Sequence, residues 1–132
     1  MSAPLSLAAR QARLLALRSL LDGGSMRVYP NAPPATPDSA TTETLLSTVV
    51  LATPAGAIGV SGVLATLTLT TPQVDSVDAT GVIGWVRFVD STGAGVMDLQ
   101  AGAVGSGMPV IFTNLQVYAG GEVQLLTCLI SE

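Results

Sequence analysis

Val63-Leu64-Ala65-Thr66-Leu67-Thr68-Leu69-Thr70 alternates leucine with threonine. A period of two with β-branched residues on alternate positions is the pattern of a half-buried strand. Outward from this stretch the same character continues. Leu45 to Ala52 is β-branched at Thr48, Val49 and Val50 and is bounded by Pro54, and Val49 to Ala65 reads as strand, turn and strand around Pro54, Gly56, Gly59 and Gly62. Val82 to Val89 carries Val, Ile, Trp and Phe, and Asp90-Ser91-Thr92-Gly93 makes a turn before a short strand near Val96 to Leu99. Gly102 to Gly107 is a glycine-rich loop. Val110 to Tyr118 and Val123 to Ile130 read as a hairpin joined at Ala119-Gly120-Gly121. About six or seven short strands separated by Gly and Pro turns predict an antiparallel β-sandwich.

The first zone is different. LAARQARLLALRSLL, within Leu5 to Leu21, consists of good helix formers, with Ser2 placed to cap it, Pro4 suited to its first turn and Gly23-Gly24 to stop it. Leu7, Leu14 and Leu21 share one stripe, but Leu5, Leu15, Leu17 and Leu20 fall on other faces and Arg10 lies between Leu17 and Leu21. A helix apolar nearly all round is normally covered on more than one side, and a β domain of this size offers one. The pattern therefore predicts an inter-subunit element. The expected organisation is one domain in three zones: residues 1–24, an anchoring helix; residues 25–43, a short strand (Met26 to Tyr29) and a Pro-rich linker crossing a sheet edge; and residues 44–132, the sandwich. On this reading, removal of residues 1–22 leaves a folded β domain that no longer assembles.

Composition narrows the function. Hydrophobic residues make up 48% of the 132 and charged residues 11%, against roughly 25% charged in an ordinary soluble domain. So few charges imply a surface of Thr, Ser and Gly, or one covered by partners. Three of the five arginines, Arg10, Arg13 and Arg18, precede residue 20, and nine acids against two arginines make the rest acidic, so the segments carry +3 and −7. An acidic body argues against nucleic-acid binding, which needs clustered cations. The apolar stretches are too broken by Arg, Pro and Gly to predict a signal peptide or a membrane span.

The chain has no His and no Lys. That removes the commonest general base and metal ligand, triads built on His, Schiff-base chemistry and the P-loop lysine. Cys128, alone within LLTCLI, predicts a buried inert thiol and no disulfide. Asp75 and Asp78 stand three apart in QVDSVDAT, read as an inter-strand loop; a cation or a carboxylate pair would use such residues, but no dense acidic loop surrounds them, and solvated turn aspartates are expected. The Gly102 to Gly107 loop precedes a strand and not a helix, so it lacks the basis for anion binding. Trp85 and Phe88 fall on opposite faces of one strand, one facing the core and the other available to a neighbour or to cover the helix. No enzyme, cofactor, metal, membrane or small-molecule substrate is expected. The candidate interface comprises Arg10, Arg13, Leu14, Leu17, Arg18, Leu21 and Trp85.

One resemblance runs through these residues. An Ala/Leu/Arg helix is followed by Arg27-Val28-Tyr29, a Pro-rich loop with Pro34-Ala35-Thr36-Pro37-Asp38, then Thr44-Leu45-Leu46-Ser47-Thr48-Val49-Val50-Leu51, Gly62-Val63-Leu64, and Ala79-Thr80-Gly81 through Gly84-Trp85-Val86-Arg87-Phe88-Val89-Asp90-Ser91-Thr92-Gly93. The order resembles a group of small structural proteins of tailed bacteriophages and prophages, over most of residues 5–117. After Tyr29 the chain departs from that group, with Pro30-Asn31-Ala32-Pro33 in place of a small-Gly turn. The resemblance implies a virion component assembled in the host cytoplasm, in contact with copies of itself and with major capsid or tail proteins. A capsid decoration or cement protein is the first expectation. A tail baseplate or fibre-attachment protein is the alternative, and a sugar- or receptor-binding sandwich using the loops Asp90–Gly95 and Gly102–Gly107 is a further one. The resemblance carries over no catalytic residue.

Overall fold

The computed structural model describes residues 5–69 and 73–131. Among them the chain is mainly β, with one N-terminal helix, α1 (Leu7–Leu21), and eleven strands. These are β1 (Ser25–Tyr29), β2 (Ser47–Val50), β3 (Gly56–Ser61), β4 (Leu64–Leu69), β5 (Gln73–Ser76), β6 (Gly81–Val82), β7 (Trp85–Val89), β8 (Gly95–Gly102), β9 (Val110–Phe112), β10 (Gln116–Val117) and β11 (Glu122–Ser131). The expected cap Ser2 and first-turn Pro4 lie outside the described residues. The helix begins later than expected, with Ser6 as its cap: the Ser6 hydroxyl accepts from the Ala9 amide at 3.1 Å. At the other end the Gly24 amide donates to the Leu21 carbonyl at 2.9 Å, and Gly23 takes a positive φ of 76°.

The strands do not form the simple set that the alternation predicts. One large sheet runs β2-β1-β7-β8-β9-β11-β4-β3, with β5 pairing β11 beside this path, and β6 pairs β10 separately. The pair β8 and β9 is parallel, at Ala101 against Val110 and Gly102 against Ile111, so the sheet is mixed. The expected strand from Val110 to Tyr118 is split into β9 and β10. Only β9 pairs β11; β10 leaves to pair β6, so Ala119-Gly120-Gly121 does not close the expected hairpin. Asp75, expected in a loop, lies in β5.

Strand β11 is the spine of the sheet. Its last residues, Leu129 to Ser131, face Thr68 to Thr66 of β4, and its first, Glu122 to Leu125, face Ser76 to Gln73 of β5. The other side of β11 carries β9. The sheet then curls until its first strand meets β5: the Ser47 hydroxyl donates to the Ser76 carbonyl at 2.7 Å, and the Asp78 amide donates to the Leu46 carbonyl at 2.7 Å. β3 and β4 form a hairpin from Ser61 to Leu64, with Gly62 at a φ of 61° in the tight turn. β3 is left as the outer strand of the path.

The concave side of the curl is the core. Val28, Val86, Phe88, Val110, Phe112 and Leu125 are enclosed there. Leu14 and Leu21 of α1 belong to the same cluster, where they meet the β4 side of the sheet. The helix is therefore an integral wall of the core, not an appended zone.

Every residue of β7 is buried, although alternate side chains point to opposite faces. The second cover is the Pro-rich stretch between β1 and β2. It lies across the outer face of β7 and β8, not around an edge. Trp85 Nε1 donates to Glu43 Oε1 at 2.7 Å, Arg87 donates to the Ser39 carbonyl at 2.7 Å, and the Asn31 and Pro37 backbones press onto Gly84 and Gly95. Any side chain at those two glycines would collide with that backbone. Beneath it, Tyr29 stacks on Trp85 with ring centroids 4.8 Å apart.

Candidate interaction surface

The interface residues expected from sequence separate into two groups. Leu14, Leu21 and Trp85 are consumed inside the chain: the two leucines fill the core, and Trp85 is covered by Tyr29, Arg87 and the Pro-rich stretch. They present no surface to a partner, because the chain itself buries both faces of β7 and the inner face of α1. Leu17, Arg10 and Arg18 are half-buried along the flanks of the helix, and Arg13 is exposed.

The outward face of α1 is built from other residues. Ala8, Ala12 and Ala16 are exposed at spacing i, i+4, i+8, and Leu15 and Leu20 are exposed beside them, Leu20 at 53%. Side chains four apart stack on one face of a helix, so these residues form one apolar strip. The strip stands next to the unpaired side of β3. Between helix and strand lies a groove of about 700 Å³, bounded by Ala8, Ala12, Leu15 and Arg18 on one wall and by Gly56 and Ile58 on the other. Gln11 Nε2 reaches the Gly59 carbonyl at 3.4 Å. Near the opposite end, Asp22 Oδ1 accepts from the Ala55 amide at 2.7 Å. These two bonds fix the helix antiparallel to β3, with Arg18 toward Gly56 and Ala8 toward Val60.

The β3–β4 hairpin and its neighbour β11 carry further exposed apolar side chains. Val60, Val63 and Leu64 at its tip are exposed, Val63 at 79%, and Leu129 is exposed on β11 across from Thr68. No charged residue occurs from Thr44 to Val74. Reading the sequence for leucine alone missed this surface; the signals that could have found it are that charge-free run and the alanines four apart in the helix. Neither locates the groove, which depends on where the helix lands on the sheet.

The other candidate positions carry less. Among the described residues, no group of three or more His, Cys, Asp or Glu is placed to hold a metal ion. Asp75 Oδ1 accepts from the Ser76 amide at 2.8 Å. Cys128 is buried, and burial pushes its thiol up to about 12. A smaller hollow of about 430 Å³ by Gln116 and Glu122 holds Tyr118, which is 64% exposed. Among the described residues, no helix is long and apolar enough to cross a membrane. No protein-family model, curated protein or solved structure matches the chain.

Proposed function

We propose that this chain is a non-enzymatic structural protein of a tailed-phage virion, a decoration or cement protein of the capsid that works by packing against neighbouring subunits. The observation that carries this reading is the apolar strip of α1 standing beside an unpaired, charge-free strand. A contiguous apolar surface of this kind marks a site of protein contact, and sheet edges left without guarding charges are ready to pair. The motif order over residues 5–117 supports a virion as the setting. In this reading the curled sheet serves as a two-layered, sandwich-like body, mostly antiparallel, that holds the contact surface rigid. Arg10, Arg13, Leu17 and Arg18 border the contact; Leu14, Leu21 and Trp85 act only through the core. The partners are capsid subunits and further copies of the chain.

The test is addition of the purified protein to expanded empty heads and to isolated tails, followed by sedimentation. The expected result is saturable binding to heads, lost in Leu20→Glu while the circular dichroism spectrum is unchanged. Binding to tails alone would move the protein to the baseplate or fibre attachment, and binding to neither would overturn the reading.

A further inference from the structure

The groove between α1 and β3 has the geometry of an acceptor for one more strand. Among the described residues β3 has a strand partner only on its β4 side. Its six residues offer about 20 Å of backbone. The helix overhangs the open side, and the small side chains of Ala8 and Ala12 leave room above it for the alternate side chains of an incoming strand. The segment from Thr44 to Val74 is uncharged, so nothing on β3 repels an approaching strand.

One charged side chain lines the groove, that of Arg18. Its Nε–H is buried, and among the described residues it finds no acceptor. A buried donor without a partner is costly, and a carboxylate would satisfy it with a charge-assisted bond. Because α1 runs antiparallel to β3, Arg18 stands where a strand antiparallel to β3 would reach its C-terminal side.

We propose that this groove binds an extended peptide segment of another protein, added to β3 as an antiparallel strand, with a carboxylate near the C-terminal side of that segment meeting Arg18. The proposal rests on reading this side of the molecule as the contact surface, and it names the chemistry of the partner.

The experiment is selection of displayed random octapeptides on the wild-type chain, then fluorescence anisotropy with an enriched peptide made synthetically. The enriched peptides should carry apolar or β-branched residues at alternate positions and an acidic group toward the C-terminal side. Arg18→Gln should weaken binding by about tenfold or more, as should neutralising the peptide's carboxylate. Ala12→Phe, which fills the groove from an exposed position, should abolish binding while thermal unfolding is unchanged. Amide shifts on binding should centre on Gly56 to Ser61. Absence of enrichment, equal affinity for Arg18→Gln, or binding that survives Ala12→Phe would overturn the proposal. A concentration-dependent dimer abolished by Ala12→Phe would also overturn it, in favour of a second copy as occupant. Head binding that survives both groove variants would sink this proposal and leave the virion reading standing; failure of head binding alone would do the reverse.

Discussion

Arg87 and Asp98 face each other across β7 and β8, and the guanidinium grips both carboxylate oxygens, with Nε 2.8 Å from Oδ1 and a terminal nitrogen 3.0 Å from Oδ2. Both side chains are 8% exposed. The hydrogen bond from Asp98 is the chief reason that Arg87 is held even further above its already high range. The same guanidinium donates to the carbonyls of Ser39 and Thr36, so one cation ties the sheet to the segment that covers it. Arg27 stands directly opposite Arg87 on β1, a like-charge placement that Asp98 offsets. Removing either partner strands the other charge in a covered site, which typically costs about 3–5 kcal/mol. Arg87→Met and Asp98→Asn are therefore each expected to lower the urea midpoint sharply. Arg87→Lys should rescue little, because an ammonium cannot fork onto a carboxylate and reach the overlying carbonyls together.

The helix should behave as core on one face and as surface on the other. Leu14→Ala and Leu21→Ala should each cost about 2–5 kcal/mol in denaturant unfolding. Leu20→Ala should change stability by about 0.5 kcal/mol or less. Removal of residues 1–22 should consequently yield an unfolded or molten chain, not the intact β domain expected from the sequence. A sharp two-state unfolding transition in that truncation would contradict the placement of Leu14 and Leu21.

Reading of the fold from sequence succeeded where local chemistry decides. Leu67 and Leu69 alternate with Thr68 because one face of β4 meets the core, and α1 lies where the Ala/Leu run ends in Gly23-Gly24. It failed where distant segments compete for an edge. Val110 to Tyr118 has strand character throughout, but Leu125 and Cys128 claim Phe112 and Val110, while Gly81 and Val82 claim Val117 and Gln116. Trp85 looked available to a neighbour because its strand carries large residues on both faces. Its actual cover comes from Glu43 and Tyr29, which lie 42 and 56 residues earlier in the chain, and no period in the sequence reports such a contact. Of the candidate surface, the sequence exposed the excess of leucine on α1; the groove required the register of β3 and β4.

Asp90 organises the turn before β8. Its Oδ1 accepts from the Thr92 hydroxyl at 2.6 Å, the Thr92 amide at 2.9 Å and the Ala94 amide at 3.1 Å. The Thr92 hydroxyl above all, with these amides, holds the Asp90 carboxyl below its ordinary value. A carboxyl depressed in the folded state contributes stability above its unfolded pKa, and that contribution is lost as pH falls through the folded value. Asp90→Asn should therefore be less stable than wild type at neutral pH, and the gap should narrow below about pH 4. Urea midpoints measured from pH 7 to pH 3 check this; a constant gap would disprove it.

Cys128 offers a direct probe of opening. Burial raises its thiol to about 12, so at pH 8 it is both covered and protonated, while an unfolded thiol near 8.5 is partly ionised. Iodoacetamide should leave the native chain unmodified at pH 8 and label it readily in urea. The labelling rate in water should follow the destabilisation caused by Arg87→Met or Leu14→Ala. Rapid modification of the native protein would show that β11 is less enclosed than its neighbours β9 and β4 imply.

The position of β11 also bears on how the chain is born. The strand that joins β9, β4 and β5 follows all three in the chain, and without it they have no common neighbour. The core cannot close, and the charge-free hairpin of β3 and β4 lacks its neighbour, until residues 122–131 emerge. Folding is thereby tied to the synthesis of residues 122–131, after the strands they join have been made.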